Sequence, residues 1–312
     1  MTKLIEDKLD KIPVVNLLVR FLKQIKLPGF EGLSIYDLLE LYIIGIVKGA
    51  LTTRASAIAF SFFIAIFPFL LFILILIPYI PIDGFKEEFL SFLESFLPPT
   101  TSEFFFQNIF ENITGGSLIS TVFLLSIFLM ANGVNAVFSG FEYSYHQQLN
   151  RTAFKQYMYA LGVAIILAFL LILTVAIFGY FQIYIIQPLY EGLSGENISD
   201  SSSGLFWVIL GKYVFFIIMV YISTATLYYF GTKEGKISKF FSVGALLTTL
   251  LIILTSYLFG IYIENFSQFN ELYGSIGALL ILLIYLWLNA NILLLGYELN
   301  ASLNRLKKKA KL

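Results

Sequence analysis

The sequence predicts an all-α fold, a polytopic membrane helix bundle with six transmembrane helices, and three observations carry that prediction. Hydrophobic residues make up 58% of the chain and charged residues only 13%, a balance outside that of ordinary soluble domains. Apolar stretches able to cross about 30 Å of hydrocarbon at about 1.5 Å per residue recur at roughly 57–80, 118–140, 157–185, 205–230, 240–263 and 275–302. Lysine and arginine collect in alternate connecting segments, the pattern that orients membrane helices.

The elements follow in chain order. The N-terminus is charged (Lys3, Glu6, Asp7, Lys8, Asp10, Lys11) and lacks a short apolar core with a small-residue cleavage site, so no signal peptide is expected. Residues 13–25 mix Val14, Leu17, Leu18, Phe21, Leu22 and Ile25 with Arg20 and Lys23, the composition of a helix lying on an anionic leaflet. Ser34 is placed as an N-cap, with Asp37 three residues on, for a second interfacial helix running through Leu38, Leu41 and Tyr42 towards Lys48. Residues 1–56 thus form a cytoplasmic and interfacial region before a six-span domain over 57–302.

Pro68 interrupts the first span and predicts a kink, with a moving hinge as the sharper reading. The loop over 81–117 reads as two amphipathic helices, 84–97 and 101–113, broken by Pro98-Pro99. Arg151 and Lys155 lie between the second and third spans, and Lys233, Lys236 and Lys239 between the fourth and fifth. The last span carries Gly274 and Gly277 at its start, where close helix approach or hinging is expected. It ends in a basic tail, 303–312, with Arg305, Lys307, Lys308, Lys309 and Lys311. Lys86 is the only basic residue in the loops after the first, third and fifth spans, which places both termini in the cytoplasm. No internal repeat is evident, which disfavours an inverted-repeat transporter.

Polar residues inside the spans are the candidate functional set. At 100° per residue, Asn132, Asn135, Ser139 and Glu142 fall within about an 80° arc of the second span. On the last span Asn291 and Glu298 are nearly aligned, while Asn289, Gly296 and Asn300 mark another stripe. Lys212 lies about two turns into the fourth span, with Ser223 and Thr226 close to its stripe, and Arg54 stands just before the first. Two roles compete for this set. The plainer one is interhelical hydrogen bonding, with Glu298 pairing to Arg305 or Lys155 and Lys212 snorkelling outwards. The sharper one is a polar pathway, since ionisable groups inside spans are costly and mark routes or pairings.

Several chemistries lack their residues. There are no cysteines, and the single histidine, His146, stands beside Gln147 and Gln148, so no zinc hydrolase site is expected. No G-x-x-x-x-G-K-[ST] loop occurs, and no G-x-S-x-G element accompanies a base. The basic stretches lack aromatic interleaving, so nucleic acid is not an expected partner. No cofactor is expected.

Taken together, Tyr262, Asn265-Phe266, Tyr273-Gly274-Ser275-Ile276-Gly277-Ala278, Leu286-Trp287-Leu288 and Leu295-Gly296-Tyr297-Glu298-Leu299-Asn300 resemble the signature of the YihY/BrkB family of bacterial inner-membrane proteins. Arg54, Ala57, Ala59-Phe60 and Phe67-Pro68 resemble its first-span motif, and Arg151, Phe154 and Lys155 its second cytoplasmic loop; Ala65 stands where a serine is expected. The resemblance implies a six-helix protein of the bacterial cytoplasmic membrane. It also carries the old label ribonuclease BN, which the missing metal ligands oppose, and associations with virulence and envelope lipid homeostasis. The expected function is non-enzymatic movement, or facilitated movement, of a lipid or amphiphile, with membrane lipids as partners, including an anionic phospholipid or glycolipid. The alternative is a scaffold docking an envelope protein, and the remote one is a membrane nuclease.

Overall fold

The computed structural model describes residues 13–26, 34–48, 50–76, 82, 116–142, 152–186, 198–231, 240–266 and 276–310. Two shorter helices come first, α1 (Pro13–Gln24) and α2 (Ile35–Lys48). Six long helices follow: α3 (Leu51–Leu76), α4 (Gly116–Glu142), α5 (Ala153–Phe181, continued by a π-helical turn Gln182–Ile186), α6 (Ile198–Gly231), α7 (Val243–Phe266) and α8 (Ile276–Ala310). Each of the six contains a segment long and apolar enough to cross a membrane: Leu51–Leu70, Phe123–Glu142, Ala153–Ile185, Tyr213–Gly231, Val243–Ile263 and Leu279–Leu306. Among the described residues the fold is all-α, the one exception being an isolated antiparallel bridge between Lys26 and Ser34.

The expected N-cap is a reciprocal capping box. Asp37 Oδ2 accepts from the Ser34 backbone N–H at 2.7 Å, and Ser34 Oγ accepts from the Asp37 N–H at 3.3 Å, so two orphan donors at the start of α2 are satisfied. Lys23 lies 4.6 Å from the centre of the Tyr36 ring and ties α1 to α2.

Each spanning helix packs on the next, and α8 returns to α3, so the six form a closed ring of neighbours. Helix α4 also reaches across to α6 and α8, while α2 lies against α8. The core runs along α4: Val137, Phe138 and Phe141 are fully buried with Ile58 and Leu294. Phe141 stacks on Tyr297 at 4.3 Å between ring centres and meets Tyr228 edge-on at 5.6 Å. Outward faces carry the large exposed apolar side chains, Leu124, Leu125 and Phe128 on α4 and Ile165, Ile166 and Phe169 on α5. A bilayer supplies the solvent such faces need.

Helices α7 and α8 cross at glycine on glycine. A Cβ on Gly296 would collide with Thr248 Oγ1 and come within 2.6 Å of the Tyr228 hydroxyl, and one on Gly244 would strike the Gly296 carbonyl. The backbones approach closely only because both positions lack a side chain. Asn300 of α8 then completes the contact, accepting from the Gly244 N–H at 2.8 Å and donating to Ser242 Oγ at 2.9 Å, so one span caps the N-terminus of its neighbour.

Pro68 is buried inside α3, which continues to Leu76; the proline leaves the carbonyl of Ile64 without its helical donor. Gly277 is buried at the start of α8. Gly274, Arg151, His146, the expected helices at 84–97 and 101–113 and the side chain of Lys212 lie outside the described residues.

Candidate functional site

The spans bring their charges together at one end of the bundle, where α3 begins and the last turns of α8 pass. Arg54 lies inside α3, whose first residue is Leu51, and not ahead of the span as the sequence suggests. Ala50, with φ 46°, turns the chain into this helix, and its carbonyl accepts from the Arg54 N–H at 3.2 Å. The next turn is built of Ala55, Ile58 and Ala59, all buried, and this face carries the Arg54 guanidinium inward.

There Arg54 Nη2 donates to Glu298 Oε1 at 2.8 Å, and Nη1 donates to the Gly140 carbonyl at 2.7 Å. The side chain of Arg54 is 8% exposed and that of Glu298 0%, so this is a buried ion pair joining α3, α4 and α8. Arg54 is a partner of Glu298 that the sequence reading did not name. Glycine at 140 matters locally, because a Cβ there would sit 2.8 Å from Ile58 Cδ1 and press α3 away from the carbonyl that Arg54 uses. Among the described residues, buried Arg54 Nε has no hydrogen-bond partner, and neither has Ser302 Oγ, one turn beyond Glu298.

Helix α2 closes over this centre. Tyr42 is about half-buried, and its hydroxyl is pushed up to about 12, mostly by burial and further by the negative charge of Glu298. Beneath it, Tyr228 donates to the Leu293 carbonyl at 2.6 Å and shares a 2.6 Å hydrogen bond with Thr248. Tyr228 thus ties α6, α7 and α8 together behind the ion pair.

A second polar cluster lies on the other side of α4. Gln156 of α5 is buried against Asn135, Ser139 and Glu142. With its NH2 towards the carboxylate, Gln156 donates to Glu142 Oε2 at 2.9 Å and its carbonyl oxygen accepts from Ser139 Oγ at 3.0 Å, the orientation that gives both ends of the amide complementary partners. The predicted polar face of α4 therefore meets a residue absent from the candidate set. Asn132, at the edge of that arc, is exposed and stands apart from the cluster.

Asn289 and Asn291 of α8 spend their donors locally. Asn289 Nδ2 donates to the Tyr285 carbonyl and Asn291 Nδ2 to that of Trp287, each at 2.8 Å and each one turn back. Thr226 on α6 does the same with Ile222 at 2.8 Å. None of these bonds reaches the charged centre.

Below the Gln156 cluster, α3, α4 and α5 separate around an apolar groove of about 210 Å³. Its floor is made of small or buried side chains, Ala65, Met130, Val134, Ala164 and Ala168, and Leu286 of α8 completes it. A second apolar groove of about 280 Å³ runs between Ser56, Ala59 and Phe60 of α3 and Leu283, Ile284 and Trp287 of α8. Among the described residues no group of three or more His, Cys, Asp or Glu side chains is placed to hold a metal ion.

The chain matches the family model described as virulence factor BrkB over residues 45–312. It is 26% identical over 268 residues to a ribonuclease-like protein, YfkH, of Bacillus subtilis, covering 82% of this chain and 91% of that one. It is 26% identical over 253 residues to a UPF0761 membrane protein of Coxiella burnetii, covering 78% of this chain and 84% of the relative. A UPF0761 membrane protein of Psychrobacter is 21% identical over 283 residues, 89% of this chain and 50% of its own length. No solved structure matches. With the family match running from α2 through the ion pair to the end of α8, this six-span chain belongs to the BrkB/YihY family of membrane proteins.

Proposed function

We propose that this protein is a non-enzymatic facilitator of lipid or amphiphile movement in the bacterial cytoplasmic membrane, with both termini cytoplasmic. The observation that carries the reading is the buried Arg54–Glu298 pair with its spare donor. A pair desolvated inside a membrane bundle is costly relative to apolar packing, so its retention favours a role beyond holding helices together. Among the described residues Arg54 Nε is a buried donor without an acceptor, and an oxygen of an anionic headgroup is one acceptor chemistry that suits it. The lysine and arginine distribution supports cytoplasmic termini, and with them a position of this centre at the cytoplasmic end.

The test is exchange of a fluorescent anionic phospholipid between leaflets of proteoliposomes, comparing wild type, Glu298→Gln and Lys212→Ala with empty vesicles. Faster exchange with the wild type that falls in folded Glu298→Gln supports the reading. Exchange equal to that of empty vesicles from folded wild-type protein sinks it.

A scaffold is the second reading, favoured by the local or helix-joining bonds of Asn289, Asn291, Thr226, Tyr228 and Asn300, each of which is explained by packing alone. It predicts that loss of phenotype tracks loss of stability in every variant, with an envelope protein as partner. The ribonuclease-like name belongs to the Bacillus relative. Metal-dependent RNA cleavage by this purified chain, lost on changing His146, would carry that activity here.

A further inference from the structure

We infer that the groove between α3, α4 and α5 is a binding site for one acyl chain of a bilayer phospholipid, with the polar end of that lipid towards Gln156 and Glu142. The inference takes its functional meaning from the facilitator reading, while occupancy of the groove rests on the geometry alone.

Volume, chemistry and direction argue for it. The groove exists because alanines stand at 65, 164 and 168 where larger side chains would close it, leaving about 210 Å³ along helices that are otherwise tightly packed. Unfilled, that space would forfeit the dispersion contacts of every wall it exposes. Water does not suit it, because a held water needs two to four polar partners and the lining residues are all apolar. The abundant apolar material around membrane spans is acyl chain.

Direction is set by the seam between α4 and α5. Gln156, Ala160, Ala164 and Ala168 form one buried stripe of α5. Ala164 and Ala168 follow Gln156 by 8 and 12 positions, which is about 12 and 18 Å along the axis at about 1.5 Å per residue. On the facing helix Val134 and Met130 precede Ser139 in the same order. Gln156 stands in the first turn of α5, whose span begins at Ala153, so the polar cluster lies at the edge of that span and the groove runs inward from it. The lining thus changes from hydrogen-bonding to apolar in the order of a lipid's own headgroup and chain.

The experiment reconstitutes the full chain in phosphatidylglycerol and phosphatidylethanolamine vesicles containing a trace of phospholipid with a mid-chain diazirine. After photolysis, labelled residues are mapped by peptide mass spectrometry. Labelling of Ala168, Val134 and Ala65 several-fold above the outward-facing Ile165, Ile166 and Phe169 is the expected result. Ala168→Phe and Ala164→Leu should remove the enrichment, and Ile166→Phe should keep it. If the filled variants do not fold, the wild-type ratio decides by itself. Equal labelling of the two faces overturns the site, and cross-links through the groove to a second copy overturn it in favour of a protein occupant. Enrichment without leaflet exchange would leave the acyl site standing and remove the facilitator role; exchange with uniform labelling would do the reverse.

Discussion

Removing both members of the Arg54–Glu298 pair should cost clearly less than the sum of the two single removals. The two side chains meet at 2.8 Å in the bundle interior. With charge centres about 4 Å apart and an effective dielectric constant of about 20, their attraction is about 4 kcal/mol, and breaking a buried pair from one side costs about 3–5 kcal/mol. Glu298→Gln keeps the shape and an oxygen acceptor but leaves the guanidinium without its counter-charge and unable to shed its own charge. Arg54→Gln leaves a carboxylate, which can discard its charge by taking a proton, so it is expected to be the milder single change at neutral pH. The double variant should lose less than the sum of the singles by about 2 kcal/mol or more, a coupling within the range seen for residues in contact. Equilibrium unfolding in mixed micelles, followed by helicity and tryptophan fluorescence, measures all four corners of this cycle. Single-variant losses that add to within about 0.5 kcal/mol would refute the pairing as an energetic unit. A Glu298→Gln variant as stable as wild type would refute it more simply.

Two further outcomes are expected. Gly296→Ala places a methyl group against Thr248 and Tyr228, and overpacking at this crossing should destabilise the bundle by about 1–3 kcal/mol, while Gly162→Ala, whose added Cβ meets open space, should be neutral or mildly stabilising; thermal unfolding of both variants in one detergent checks the pair. Tyr42 gives a pH dependence whose sign is fixed by its raised value. Unfolded Tyr42 ionises near its ordinary value of 10 while the folded group stays protonated to about 12, so its contribution to α2 docking is complete below 10 and is lost as the pH rises through 12. The tyrosinate absorbance difference between wild type and Tyr42→Phe reads that transition directly. In Glu298→Gln it should move down without reaching 10, because burial is the larger cause and the carboxylate the smaller.

The outline of this fold is legible in the sequence because membrane spans are long apolar runs, and a run needs no partner to be recognised. All six emerge, and so does the capping box at Ser34, whose two members stand three residues apart. The ion pair is different in kind. Periodicity tells which face of a helix a residue occupies, but Arg54 and Glu298 are 244 positions apart, and only the return of α8 to α3 brings them together. Gln156 escapes notice for a more local reason. With the third span expected to start at 157 it reads as part of a loop, whereas α5 starts at Ala153 and carries Gln156 onto the stripe of Ala160, Ala164 and Ala168. The signal was present as a polar residue in register with small ones, the pattern by which a membrane helix buries a hydrogen-bonding group against a neighbour. Asn289 and Asn291 show the converse. An asparagine inside an apolar helix suggests a partner across the bundle, yet the carbonyl one turn back is always within reach and needs no second helix to arrive. Polar residues in these spans therefore divide by what they reach: their own backbone for Asn289 and Asn291, a neighbouring helix terminus for Asn300, and for Arg54 and Glu298 each other's charge. Of these, the charge pair has the cost that packing explains least, which is why the functional experiments begin there.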